Sequence, residues 1–244
     1  MIRIFRMLNL FFFISFFSSQ LYADNFKMAV GLALPPYVIQ NGNTGMEMEI
    51  VREALALKGH TVEPVYLPFA RVPLSLKEKS VSLALTVNEN SGLSDIFYSD
   101  SHITYQNVAI TLAKNNLTIN SSSDMKDMSI LAFQDATKYL GSDYASMALK
   151  NPDYQEKSQQ DAQILMLFSN RVDTVVMDIN IFKYFRSLNE KVDTSLDVTI
   201  HKIFSPSLYK VGFLSETIRD EFNDALAQLK ESGRYDEIIS EYIQ

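Results

Sequence analysis

An α/β fold is predicted for this chain, because short apolar runs alternate with longer stretches whose apolar residues recur at helical spacing. Two further observations support it. Apolar side chains make up 47% of the 244 residues, enough for a substantial core. The chain has no cysteine, so packing must hold it together without a disulfide framework or a thiolate zinc site.

The elements follow in order. Phe26–Leu34 is a strand, broken by Pro35-Pro36. Gly45–Lys58 places Met46, Ile50, Val51, Ala54 and Leu55 near helical spacing, and Gly59 is a fitting stop. Val62–Tyr66 is a second strand, Ala70–Lys79 a short helix and Val81–Thr86 a third strand. Strands separated by helices imply right-handed crossovers and a parallel sheet. A second set follows the polar stretch Lys114–Asp127. It holds strand Ser129–Phe133, helices Lys138–Leu149 and Asp161–Phe168, buried strand Thr174–Met177 and helix Ile179–Leu188. Val198–Phe204 and Tyr209–Leu214 are extended around Ser205-Pro206-Ser207, and helices Glu216–Glu231 and Tyr235–Tyr242 close the chain. Pattern alone allows two arrangements. The sets are either independent units, or lobes joined by crossovers at Ala109–Lys114 and Phe204–Gly212, with the last helices returning to the first lobe.

Residues 1–23 have the form of a cleaved export signal. Arg3 and Arg6 supply its positive start, Leu8–Phe17 its apolar run, and Leu21-Tyr22-Ala23 its cleavage site. The apolar run is about half of the ~20 residues a membrane-spanning helix requires. A soluble periplasmic protein is therefore expected. The net charge of −7 argues against nucleic acid or anionic membrane as a partner. His60, His102 and His201 are scattered without metal-like spacing, and each is expected at the surface or in a cap.

From Pro35 onward the landmarks come in a familiar order. They are Pro35-Pro36-Tyr37, Gly45-Met46-Glu47-Met48-Glu49-Ile50, Phe69, Ala84-Leu85-Thr86 and Phe97-Tyr98-Ser99-Asp100. Ile130–Thr137, Asn170–Asp178 and Leu229–Tyr242 continue it. This order resembles the family-3 extracellular solute-binding proteins, the polar-amino-acid type of periplasmic binding protein. The resemblance implies a two-lobed, type II periplasmic-binding-protein-like fold with two hinge crossovers. Lobe 1 would take residues 24–110 plus 207–244, and lobe 2 residues 111–206. It also implies a monomer without catalytic activity or cofactor. Such a protein clamps a small-molecule ligand and presents it to an inner-membrane permease of an ABC transporter, or to a sensor.

Each candidate site residue has two readings. Asp178 ends a buried strand where a helix begins. By the resemblance it receives a ligand's ammonium group; by its position it caps the following helix. Phe69 matches an aromatic that stacks on the ligand, and otherwise packs in the core. Tyr37 lines the mouth of the cleft or is ordinary packing. Thr86 ends the third strand and Asn88 follows it, and both are candidate polar contacts. Gln134 to Thr137 precede a helix, so their N–H groups face an anion or belong to a plain cap. The family's carboxylate-holding arginine is missing, since no arginine lies between Arg71 and Arg171. Arg71 is its nearest replacement, or else a surface ion-pair partner. Glu47 and Glu49 are expected to favour the helix start through its dipole.

Two alternatives to a transport receptor remain. One is a dehydratase-like enzyme on the same scaffold, pairing an acid such as Glu89 with Arg71. The other is a sensory or accessory binding protein.

Overall fold

The computed structural model describes residues 24–32 and 34–243, so the export signal expected at 1–23 lies outside the described residues. The chain opens with β1 (Asn25–Gly31), α1 (Met46–Leu57), β2 (Thr61–Leu67), α2 (Val72–Lys77) and β3 (Leu83–Val87). Short strands β4 (Phe97–Tyr98) and β5 (Ile103–Tyr105) lead into β6 (Asn107–Leu112). Then come β7 (Ile130–Phe133), α3 (Ala136–Tyr139), α4 (Ser142–Lys150), β8 (Tyr154–Lys157) and α5 (Asp161–Phe168). β9 (Thr174–Asp178), α6 (Ile179–Ser187), β10 (Val198–His201), β11 (Ser207–Phe213), α7 (Glu216–Glu231) and α8 (Arg234–Tyr242) complete it.

The strands form two sheets, one per lobe. The first runs β2-β1-β3-β11-β4, with β5 also pairing β11; the second runs β10-β6-β9-β7-β8. β3 and β9 are central and buried along their whole length, as unbroken apolar runs require. The expectation of parallel sheets holds only for part of each. β1 is parallel to β2 and β3, and β7 to β8 and β9. β11 is antiparallel to its neighbours in the first sheet, and β6 to its neighbours in the second. These antiparallel strands lie next to the crossings, where no helix intervenes to reverse the chain.

The outgoing crossing is abrupt. β5 pairs in the first sheet and β6 in the second, with Gln106 alone between them. The expected boundary after residue 110 falls inside β6, so the chain changes sheets four residues earlier. The return lies between His201 and Ser207. Gln106 ties the two crossings together: its Nε2 donates to the carbonyls of Asn107 (2.8 Å) and Phe204 (2.9 Å). The terminal helices go back to the first lobe, where α7 packs on α1 and β11.

Two local features differ from expectation. The helix expected over Lys138–Leu149 is split at Gly141, whose φ of 90° suits a residue without Cβ. β8 has no apolar pattern because it is an edge strand, with Gln155 and Lys157 exposed.

The turn that carries Tyr37 is built against the start of α1. The N–H groups of Met46 and Glu47 donate to the carbonyls of Pro36 (2.9 Å) and Tyr37 (3.1 Å). Gly45 makes this approach possible: its φ is 124°, and a Cβ there would lie 2.4 Å from the Tyr37 carbonyl oxygen. The Pro-Pro-Tyr and Gly-Met-Glu landmarks are thus two halves of one contact.

Candidate functional site

Asp178 is the last residue of β9 and the N-cap of α6. Its Oδ1 accepts the N–H groups of Asn180 (2.8 Å) and Ile181 (3.1 Å). Its Oδ2 accepts the N–H of Gln106, at the crossing, at 2.7 Å. The fourth donor comes from the other lobe: the Tyr37 hydroxyl donates to Oδ1 at 2.9 Å. Asp178 is 3% exposed and Tyr37 wholly buried. The Asn180 amide donates to the Tyr37 hydroxyl at 3.1 Å, and the Tyr37 ring stacks on Tyr105 with centroids 3.7 Å apart.

Burial dominates the electrostatics. It pushes the Asp178 carboxyl up to about 6, against the downward pull of the Ile181 N–H, the Tyr37 hydroxyl and the other donors. Burial, followed by the charge of Asp178, holds the Tyr37 phenol well above its ordinary range.

A second buried carboxylate lies behind Tyr105. Glu47, fully buried in the first turn of α1, accepts hydrogen bonds from Thr86 Oγ1 (2.8 Å), His102 Nε2 (2.9 Å) and Tyr105 Oη (2.9 Å). The helix-dipole role expected of Glu47 therefore understates it, because its carboxylate joins three elements. Thr86 is buried, its hydroxyl is spent on Glu47, and it holds a φ of 56°, unusual for a β-branched residue. His102 is not at the surface. It is wholly enclosed and its Nδ1 has no partner. His60 and His201 are also buried, paired with Glu221 and Thr111. Each histidine finds a polar group inside, which a surface assignment did not anticipate.

The remaining candidates are dispersed. Asn88 is half-buried, and its side chain accepts the Asn90 N–H at 3.0 Å within its own 3-10 turn. Phe69 is 36% exposed and its ring rests on Gly31, where a Cβ would lie 3.0 Å from Cδ2. Arg71 is exposed and pairs with Glu78 at 3.4 Å. Gln134 is exposed. The N–H groups of Asp135 and Thr137 are already occupied, donating to Glu156 on β8 at 2.7 and 3.1 Å. Glu156 also accepts the Tyr154 hydroxyl at 2.7 Å. Partial burial raises the Glu156 carboxyl, but these hydrogen bonds outweigh it and leave it below the usual carboxylate range.

The structure thus joins Tyr37 to Asp178 directly, and Thr86 to the same cluster through Glu47 and Tyr105. Phe69, Arg71, Asn88, Gln134 and Thr137 stand apart from it. A cavity of about 630 Å³ is lined by Pro35, Ile39, Gln40, Asn41, Asn43 and Tyr66, none of them a candidate. Sequence reasoning missed Tyr105, Gln106, His102 and Glu156. The one available signal was the charged Glu47 within an otherwise apolar helix face.

Residues 26–244 match the family described as bacterial extracellular solute-binding proteins, family 3. This chain belongs to that family. Solved structures agree on its fold. The ligand-binding core of GluR0 in complex with L-glutamate superposes with a TM-score of 0.70 at 16% identity, covering 91% of this chain and 98% of that one. A histidine kinase sensor domain with similarity to periplasmic binding proteins gives 0.67 at 16%, covering 89% and 95%. The substrate-binding protein of an amino acid ABC transporter gives 0.61 at 17%, covering 89% and 98%. The family is extracellular, and no helix among the described residues is long and apolar enough to cross a membrane.

Proposed function

We propose that this chain is an exported, monomeric receptor that captures a small polar solute between its lobes and delivers it to the permease of an ABC transporter. The observation that carries this reading is the family match over almost all of the chain after residue 25, on two sheets joined by paired crossings. The sheets hold the two walls rigid, and the crossings at Gln106 and at 202–206 are the places where the lobes can turn relative to each other. Closure is driven by contacts that only the closed arrangement makes with the solute.

The sensor-domain likeness keeps a signalling partner as a variant of the same capture role. Glu89 and Arg71, the pair that the enzyme reading would use, are not placed to act together. Glu89 is exposed and paired with Lys210, whose hydrogen bond holds its carboxyl below the usual range, whereas a general acid needs the opposite shift. Arg71 pairs with Glu78 and so does not meet Glu89 as a clamp.

The test is thermal unfolding of the exported protein with amino acids, organic acids, amines and uncharged solutes. A solute at a hundred times its Kd should raise the Tm by about 5 °C or more. No response across all of these classes contradicts the capture role.

A further inference from the structure

A carboxylate buried in the apolar face of a helix is costly, and an apolar side chain of similar size often packs as well. Glu47 is such a group, fully buried in the first turn of α1 between Met46 and Met48. Its two oxygens are used differently. Oε1 takes the Thr86 hydroxyl at 2.8 Å and the His102 Nε2 at 2.9 Å, both from lobe 1. Oε2 takes the Tyr105 hydroxyl alone, at 2.9 Å.

Tyr105 stands where the lobes meet. It is the last residue of β5, and the next residue, Gln106, is the outgoing crossing. The Tyr37 ring stacks on it, with centroids 3.7 Å apart and planes 20° from parallel. Tyr209, on β11 just after the return crossing, meets the same ring edge-on at 4.9 Å. Stacked rings accept a range of offsets, whereas a hydrogen bond at the hydroxyl fixes where the ring sits. Glu47 supplies that bond. The Tyr37 hydroxyl, resting on the ring so placed, lies 2.9 Å from Asp178 Oδ1 in lobe 2.

We propose that Glu47 is a positioning residue for the meeting of the lobes: by holding Tyr105 it fixes Tyr37, and with it the hydrogen bond to Asp178. The titratable groups along this path are Glu47 and His102 in lobe 1, then Tyr105, Tyr209 and Tyr37, then Asp178 in lobe 2. The inference rests on the capture role proposed above and deepens it. Apparent affinity for a solute scales with the fraction of molecules whose lobes are set to receive it. Glu47 would raise that fraction from inside lobe 1, without touching the solute.

The test reads Asp178 rather than the stability of the whole fold. Tyr105→Phe keeps the ring and removes the hydroxyl that Glu47 holds. In a carbon-13 NMR titration it should raise the Asp178 midpoint by about half a pH unit or more, roughly threefold in proton affinity. The direction follows because a less well placed Tyr37 hydroxyl favours the ionised carboxylate less. In a Tyr37→Phe background the same change should move the midpoint no further. An unmoved midpoint, or an equal rise with and without the Tyr37 hydroxyl, overturns the inference whatever the loss of stability. If Tyr105→Phe does not fold, the wild type gives a second reading. Its Tyr105 hydroxyl proton is expected as an NMR signal protected from exchange, and the lack of that signal overturns the inference. None of these readings uses a solute, so their failure leaves the capture role standing. A flat thermal response to every solute, with the Asp178 shift present, overturns the capture role alone.

Discussion

Asp178 and Glu156 do the same job in different surroundings. Each gathers backbone N–H groups where a helix begins, and each adds a tyrosine hydroxyl: Tyr37 from the other lobe for Asp178, and Tyr154 from the same strand for Glu156. Yet burial drives the Asp178 carboxyl up to about 6, while Glu156, nearer to solvent, stays below its usual range. Counting donors does not predict the ionisation. What decides is whether water still reaches the group, because desolvation grows faster than one more hydrogen bond can offset. The buried carboxylate joins two lobes, and the half-exposed one only tidies a turn.

The largest expected effect breaks the buried partner. Asp178→Ala leaves three N–H groups and a phenol unpaired and should cost about 3 kcal/mol or more in denaturant unfolding. A loss no greater than that of an ordinary exposed N-cap, about 1 kcal/mol, would place Asp178 in contact with water and erase the contrast. The matching change, Glu156→Ala, should cost about 1 kcal/mol, since water can replace the lost acceptor.

The two carboxylates also predict opposite pH responses. Native Asp178 holds a proton between about pH 4 and 6, where the unfolded chain has released it, so its contribution to stability grows as pH falls through that window. At about 1.4 kcal/mol per tenfold change in acidity, the rise from 3.8 to about 6 is worth about 3 kcal/mol. Glu156 has the reverse sign. Its stabilising contribution is present above the unfolded carboxylate range and is lost as pH falls below it. Urea titrations from neutral to acid pH should therefore show stability rising and then falling. Asp178→Asn should flatten the first limb and Glu156→Gln should soften the second. A wild-type profile that declines steadily from pH 7 downward contradicts the assignment of Asp178. Smallest of all, Arg71→Ala should change stability by less than about 0.5 kcal/mol, because an exposed pair at 3.4 Å is screened. A larger loss would mean that Arg71 has a partner other than Glu78.

How far the chain announces this arrangement depends on the range of the interaction. Helices α1 and α7 and strands β1, β3 and β9 could be found from spacing alone, because each buries a regular apolar face. β8 could not, being an edge strand with exposed polar residues, and neither could the change of sheet at Gln106, which has no apolar signature. At the site, the N-cap role of Asp178 was visible because it is local. Its hydroxyl partner lies 141 residues away in the chain, and no pattern within a window links Tyr37 to it. Glu156 escaped notice for the same reason, since its backbone partners sit 19 and 21 residues before it. Glu47 was visible as a charge but not as a buried one, because Thr86 comes from β3 and His102 and Tyr105 from the segment around β5, both distant in the chain.

The Tyr37 phenol donates to the buried Asp178 carboxylate between the lobes. The most direct measurement is a carbon-13 NMR titration of the Asp178 side chain in the wild type and in Tyr37→Phe, which keeps the ring and removes only the hydroxyl. The wild-type midpoint should lie near 6 and should move upward in the variant, because the lost hydrogen bond favoured the ionised form. A midpoint that stays near 3.8, or does not move when the hydroxyl is removed, would mean that Asp178 is open to solvent or solute, and the closed site would not exist.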